Sequence, residues 1–170
     1  MKLIPAVIIT LIVIALFAFN ACKSTDASTS KESKDIAKVE VKEDFKLYIE
    51  RTPCYGSCPT FKLTVDAKGN VDYEGIRFVD NIGKYTKSLS KKKVQELVYT
   101  IETGDFWSFK DKYDGQVTDL PAVITECTHD GKTKKVYNRY EAPKGLRDLQ
   151  QRLEAIIGGE GYKEVKSKEE

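Results

Sequence analysis

Strict alternation of apolar and polar residues dominates the first half of this chain. Phe45, Leu47 and Ile49 alternate with Lys46, Tyr48 and Glu50, and Phe61, Leu63 and Val65 alternate with Lys62, Thr64 and Asp66. A period of two puts each apolar set on one side of a strand, so both segments must lie half-buried in a sheet. Ala67-Lys68-Gly69-Asn70 supplies a turn, and Val71 and Tyr73 open the returning strand. Asp66 to Asn70 reads as this hairpin turn rather than a calcium loop, because the alternating acids and the later bidentate Glu are missing. At Gly75 the alternation slips and Ile76 and Phe78 take over the apolar side, which predicts a β-bulge. A fourth strand is expected over residues 85–89.

The period then changes. Ser90 is a suitable N-cap, and Val94, Leu97, Val98 and Ile101 follow at helical spacing until Gly104. Residues 122–128 and 132–140 flank Asp130-Gly131, a two-residue hairpin signal. Pro143 can occupy the first turn of a last helix. Its buried stripe is Leu146, Leu149, Leu153, Ile156 and Ile157, and Gly158-Gly159 stops it. The order ββββαββα has hairpins and no βαβ repeat. The expected fold is therefore α+β, with a largely antiparallel sheet of about six strands and two helices on one face.

The N-terminus sets the compartment. One Lys precedes an apolar run to Phe19, the pattern of an export signal. Its end, Phe19-Asn20-Ala21-Cys22, resembles a bacterial lipobox, so residues 1–21 are expected to be a lipoprotein signal peptide and Cys22 the lipidated residue. An uncleaved transmembrane anchor is the alternative. Residues 22–44 lack apolar periodicity and read as a tether, residues 45–158 as one domain, and residues 159–170 as a charged tail. By resemblance to lipoprotein sorting signals, Lys23 after the acylated Cys points to the outer membrane. The expected location is the cell envelope, with the membrane as a partner through the lipid. Lys and Arg total 28 against 26 acids, for a net charge of +2. That balance lacks the basic footprint of a nucleic-acid binder, so no nucleic-acid partner is expected.

Arg51-Thr52-Pro53-Cys54-Tyr55-Gly56-Ser57-Cys58-Pro59 is the most unusual stretch. Together with Thr118-Asp119-Leu120-Pro121 and Ala142-Pro143 it resembles a family of exported bacterial proteins catalogued as domain of unknown function 6438. The likeness covers nearly all of the domain. It implies an envelope location and a candidate binding patch of Arg51, Tyr55, Gly56, Pro59 and Asp119, with Cys54 and Cys58; Cys127 lies outside the pattern. The family carries no activity to transfer.

The residues allow three readings of Cys54 and Cys58. In an oxidising compartment they can pair as a disulfide staple, with Gly56 supplying a positive φ for the turn. They can also be a dithiol redox centre, although three intervening residues and strand-like flanks are unlike the usual helix-borne motif. A metal clip with Cys127 and His129 is the third, but Cys-x-His is not a usual zinc spacing. The staple is preferred, and no metal, cofactor or catalytic residue is expected. Cys127 reads as a small hydrophobe and His129 as a solvated residue beside a turn. Arg51, in the core-facing phase of its strand, is expected to pair with Asp119. Phe106, Trp107 and Phe109 are expected to cap the core, with an exposed aromatic platform as the other option. The leading expectation for function is a non-catalytic binding or structural module meeting a protein or glycan. A thiol–disulfide enzyme and an inhibitor of an envelope hydrolase are the alternatives.

Overall fold

A computed structural model describes residues 26–165. The expected signal peptide and Cys22 lie outside these residues. The chain divides into two compact units, residues 1–35 and 36–170. The described part of the first is the body of helix α1 (Asp26–Ala37). The expected tether is therefore helical over much of its length, although no apolar period marks it.

The second unit is a mixed α+β fold. Its strands are β1 (Lys46–Arg51), β2 (Thr60–Asp66), β3 (Asn70–Arg77), β4 (Gly83–Ser88), β5 (Lys112–Tyr113), β6 (Val123–His129), β7 (Lys132–Asn138) and β8 (Lys163–Glu164). Helix α2 (Lys91–Thr103) follows β4, and α3 (Lys144–Ile157) follows β7. The eight strands form one sheet in the order β5-β7-β6-β1-β2-β3-β4-β8, antiparallel except where β5 meets β7. Two strands and α1 thus add to the expected set. Neither β5 nor β8 exceeds two residues, too short for a period to show.

Strand β1 sits inside the sheet and pairs along all six residues with both β2 and β6. Leu47 and Ile49 are fully buried, as are Val65, Val71 and Val136 on the same face. Val94, Leu97, Val98 and Ile101 of α2 and Leu146, Leu149, Leu153, Ile156 and Ile157 of α3 complete the core. Each helix thus buries the stripe its sequence marks. Ser90 caps α2, its hydroxyl accepting from the Lys93 amide, and Asp130 and Gly131 both hold positive φ in the β6–β7 turn. Gln150 is the polar residue of the α3 stripe. It accepts from Asn138 Nδ2 at 2.7 Å and donates to Thr125 Oγ1 at 3.0 Å, so the buried amide is satisfied.

The compact unit extends past both ends of the expected domain. Ile36 is buried, and Val39 and Val41 pack on the core. Gln95 Nε2 donates to the carbonyls of Ala37 and Val39, and the Asp44 carboxylate accepts from the amides of Asp130 and Gly131. At the other end, residues expected as a tail return to the sheet. β8 pairs with Tyr85 and Thr86 of β4, and Tyr162 packs on Tyr73 with ring centroids 4.8 Å apart. Lys87 Nζ donates to the carbonyls of Ile157, Gly158 and Glu160 and lies 4.0 Å from the Tyr162 ring centroid. The ammonium therefore caps α3 where the last carbonyls lack helical partners.

The phase slip at Gly75 is a real bulge. Phe61 pairs with Gly75 while Thr60 pairs with Arg77, leaving Ile76 extra. The expected apolar side does not follow, because Ile76 and Phe78 are both exposed. Gly75 is required by contact rather than by conformation. A Cβ there would lie 1.7 Å from the Asn81 carbonyl oxygen, so the β3–β4 loop folds onto bare backbone. Gly75→Ala should destabilise the fold by about 2 kcal/mol through overpacking. Gly159→Ala, where nothing lies within 4 Å, should change little; urea denaturation of the two variants checks the contrast.

Candidate functional site

The two sheet ends differ in what they carry. The chain enters the second unit at the end formed by the start of β1, the β2–β3 turn and the β6–β7 turn, where Asp44 holds the Asp130-Gly131 amides. This is the proximal end. The distal end collects the loops after β1, β3, β5 and β7, and with them both halves of the motif.

At the distal end, Cys54 and Cys58 are bonded, with Cα atoms 5.8 Å apart. Cys54 Sγ accepts from the Gly56 amide at 3.2 Å, and the Thr60 hydroxyl donates to the Cys58 carbonyl. Gly56 does not hold a positive φ, and a Cβ there would meet only Cys54 Sγ at 3.9 Å. The expected left-handed turn at Gly56 is thus absent, and bridge and strand ends shape the loop instead. Tyr55 projects from it with 92 % of its surface exposed. Pro59 begins the return to β2 and, with Phe61, Tyr73, Phe78, Glu154 and Tyr162, helps line a cavity of about 330 Å³.

The segment of Asp119 lies beside the loop, joined to it by backbone. The Thr52 amide donates to the Ala122 carbonyl at 2.9 Å, the Ala122 amide donates to Thr52 Oγ1 at 2.7 Å, and the Tyr55 amide approaches the Asp119 carbonyl at 3.5 Å. The Asp119 carboxylate accepts from the Thr118 hydroxyl. It does not pair with Arg51. Arg51 instead forks onto Glu154 of α3, Nε to Oε1 at 2.9 Å and Nη2 to Oε2 at 2.9 Å. Arg51 keeps the core-facing phase of β1, and that phase aims it at the helix layer rather than at the neighbouring loop. Glu154 stands four residues after Gln150 at the border of the α3 stripe, the one sequence sign that it could receive a charge from the sheet.

His129, expected to be solvated, is buried at the proximal end. Nε2 faces the Lys42 amide at 3.5 Å and Nδ1 lies 3.2 Å from Glu102 Oε1. Trp107 Nε1 donates to the same carboxylate oxygen, and Phe45 meets the imidazole edge-on. This arrangement ties the incoming chain to the end of α2. Phe106 is fully buried, and Trp107 and Phe109 pack on the core, so these aromatics cap it.

Cys127 is a free, buried thiol on β6 paired with Leu47. Burial pushes the thiol up to about 12, with Glu102 and Asp44 adding to the rise. It therefore stays protonated and unreactive at neutral pH. No group of three or more His, Cys, Asp or Glu among the described residues is placed to hold a metal.

Residues 45–157 match the family described as Domain of unknown function (DUF6438). The chain belongs to that family. The match spans the sheet from Phe45 through α3 and includes the bridge, Arg51 and Glu154, and the Asp119 segment. It excludes the proximal lead-in before Phe45 and the returning β8. No curated protein matches the chain.

Two predictions follow from this geometry. Glu154→Ala should cost about 2 kcal/mol and couple to Arg51→Ala by about 1.5 kcal/mol in a double-mutant cycle, since the half-buried pair is bidentate. The second concerns alkaline pH. A solvated cysteine thiol titrates at about 8.5, so above that the unfolded state loses a proton the folded state keeps. Stability should fall as pH rises from 9 toward 12, by at most about 1.4 kcal/mol per pH unit from this group. Cys127→Ala should flatten that slope in denaturation curves taken across the range.

Proposed function

We propose that the chain is a lipid-anchored cell-envelope protein whose folded unit is a non-catalytic binding module, with the stapled loop as part of its contact face. Cys22 is the proposed site of acylation, the outer membrane the proposed location, and a protein or glycan of the envelope the proposed partner. Seven large hydrophobic side chains are exposed among the described residues, and six of them lie in the loops and strand ends of the distal end. They are Tyr55, Ile76, Phe78, Ile82, Leu120 and Tyr140; Val165 is the seventh. Dispersed apolar surface is ordinary, but a concentration on one end of a sheet marks a contact surface. This shared placement carries the proposal.

Two features support it. Phe78 holds φ at 54°, a region costly for an aromatic residue, and such strain gathers where loops serve contacts. Arg77 lies over its ring at 4.8 Å, which helps hold the residue in place. The bridge also joins two strand ends, whereas a redox pair uses a helix N-terminus to activate its first thiol. This favours a shape role over thiol chemistry.

Cross-linking in intact envelopes with the anchor kept tests the reading. A photoreactive group at Tyr55 should capture a discrete partner, and Leu120→Ser with Tyr140→Ser should reduce capture at least about tenfold, as loss of central contacts does. An equally strong yield from a probe on the polar sheet face, at Lys62, would count against a distal contact surface.

A further inference from the structure

The proximal end carries a lysine cluster that neither the fold nor the distal site uses. Lys91, Lys92 and Lys93 occupy the first turn of α2, and Lys68 sits on the β2–β3 turn. The Leu89 amide donates to the Gly69 carbonyl at 2.8 Å, and Gly69 lies so close to Leu89 and Val94 that a Cβ could not be inserted. Turn and helix start are thereby fixed side by side, with all four lysines exposed. Among the described residues none of the four makes a salt bridge, although the Lys68 charge helps hold the Asp66 carboxylate below its ordinary value. The one acid on the turn, Asp66, is occupied by the Lys68 and Asn70 amides and the Asn70 side chain.

Helix stability does not account for this placement. Positive charge in a first turn opposes the helix dipole, and the turn holds no acidic residue. The lysines are also close enough to other cations to repel them, since Lys93 adds to the burial that brings the Lys87 ammonium down to about 8. A net charge of +2 for the whole chain makes the cluster local rather than general. Its position is the deciding observation: it borders the end where residues 36–44 enter the unit from the N-terminal side, opposite the exposed apolar side chains.

We infer that Lys68, Lys91, Lys92 and Lys93 form a docking surface for an anionic lipid bilayer, on which the folded unit stands with its distal end turned outward. The inference rests on the anchor reading, because a chain tethered at Cys22 holds this end near the membrane. A lysine within a Debye length of an anionic surface contributes about 1 kcal/mol, or about a fivefold change in partitioning. Four together suffice to orient a unit that is already tethered.

The test is lysine acetylation footprinting by mass spectrometry on the full lipidated chain. It is carried in phosphatidylcholine vesicles with and without phosphatidylglycerol. Anionic lipid should slow acetylation of Lys91, Lys92 and Lys93 about fivefold or more, high salt should restore it, and Lys84 and Lys135 should not respond. The variant Lys91→Gln, Lys92→Gln, Lys93→Gln should lose the slowing at Lys68 while its thermal unfolding stays the same or rises. Equal rates at the cluster in both lipids, or protection of Lys84 in its place, would overturn the docking surface. Acyl labelling of Cys22 is read on the same samples. If it is absent the anchor reading fails by itself, and salt-sensitive slowing by added anionic vesicles then decides the surface alone.

Discussion

Strand β1 is the constraint on which the molecule depends. Its two lateral edges are both filled, by β2 and β6 in unbroken antiparallel register, and its inward face carries Leu47 and Ile49 with no exposure. A slip of one residue would put Tyr48 and Glu50 beneath the helices and send Leu47 into solvent. The same register delivers Arg51 to the helix layer at the strand's last inward position. There the guanidinium must find an acceptor or sit half-buried and unpaired, and Glu154 supplies it. One strand thus sets the sheet, the seat of α3 and the base from which the bridged loop rises.

The distal end gains its definition from backbone contacts. Bare backbone at Gly75 lets the β3–β4 loop close over it, the Thr52–Ala122 pair clamps the Asp119 segment to the end of β1, and the Cys54–Cys58 bond closes the loop between. Side chains such as Tyr55 and Leu120 are left free to point outward. A surface built this way tolerates changes in its outward residues without changes in the fold.

Much of this was legible in the chain because burial imposes periods. The stripes of α2 and α3, the alternation in β1 and β2, the Asp130-Gly131 turn and the slip at Gly75 all carry a local pattern. What escaped has no local pattern. β5 and β8 are too short to alternate, and α1 has no apolar stripe to announce it. At the site, the bridge could be read from a short spacing and an expected export signal. The partner of Arg51 could not, because Glu154 lies 103 residues away and only the helix's seat on the sheet brings it near. The expected contact of Asp119 with Arg51 is absent, since the neighbours of Asp119 meet the end of β1 through main-chain groups that no residue type reveals. His129 looked solvated beside its turn because the lead-in that covers it, Lys42 to Phe45, contributes a backbone amide and an aromatic edge from far away in sequence.

The return of the C-terminal segment has a consequence for the sheet's outer border. Among the described residues, β4 is bonded on its outer side only near Lys84 to Thr86, by Lys163 to Val165, and the connection from α3 contains Gly158, Gly159 and Gly161. Lys87 holds that connection by its carbonyls. A chain ending at Gly159 would therefore lose more than charged residues. It would leave β4 as a raw edge, with amides and carbonyls aligned to template a strand from another copy. Those few returning residues act as a selvedge, keeping the sheet finite.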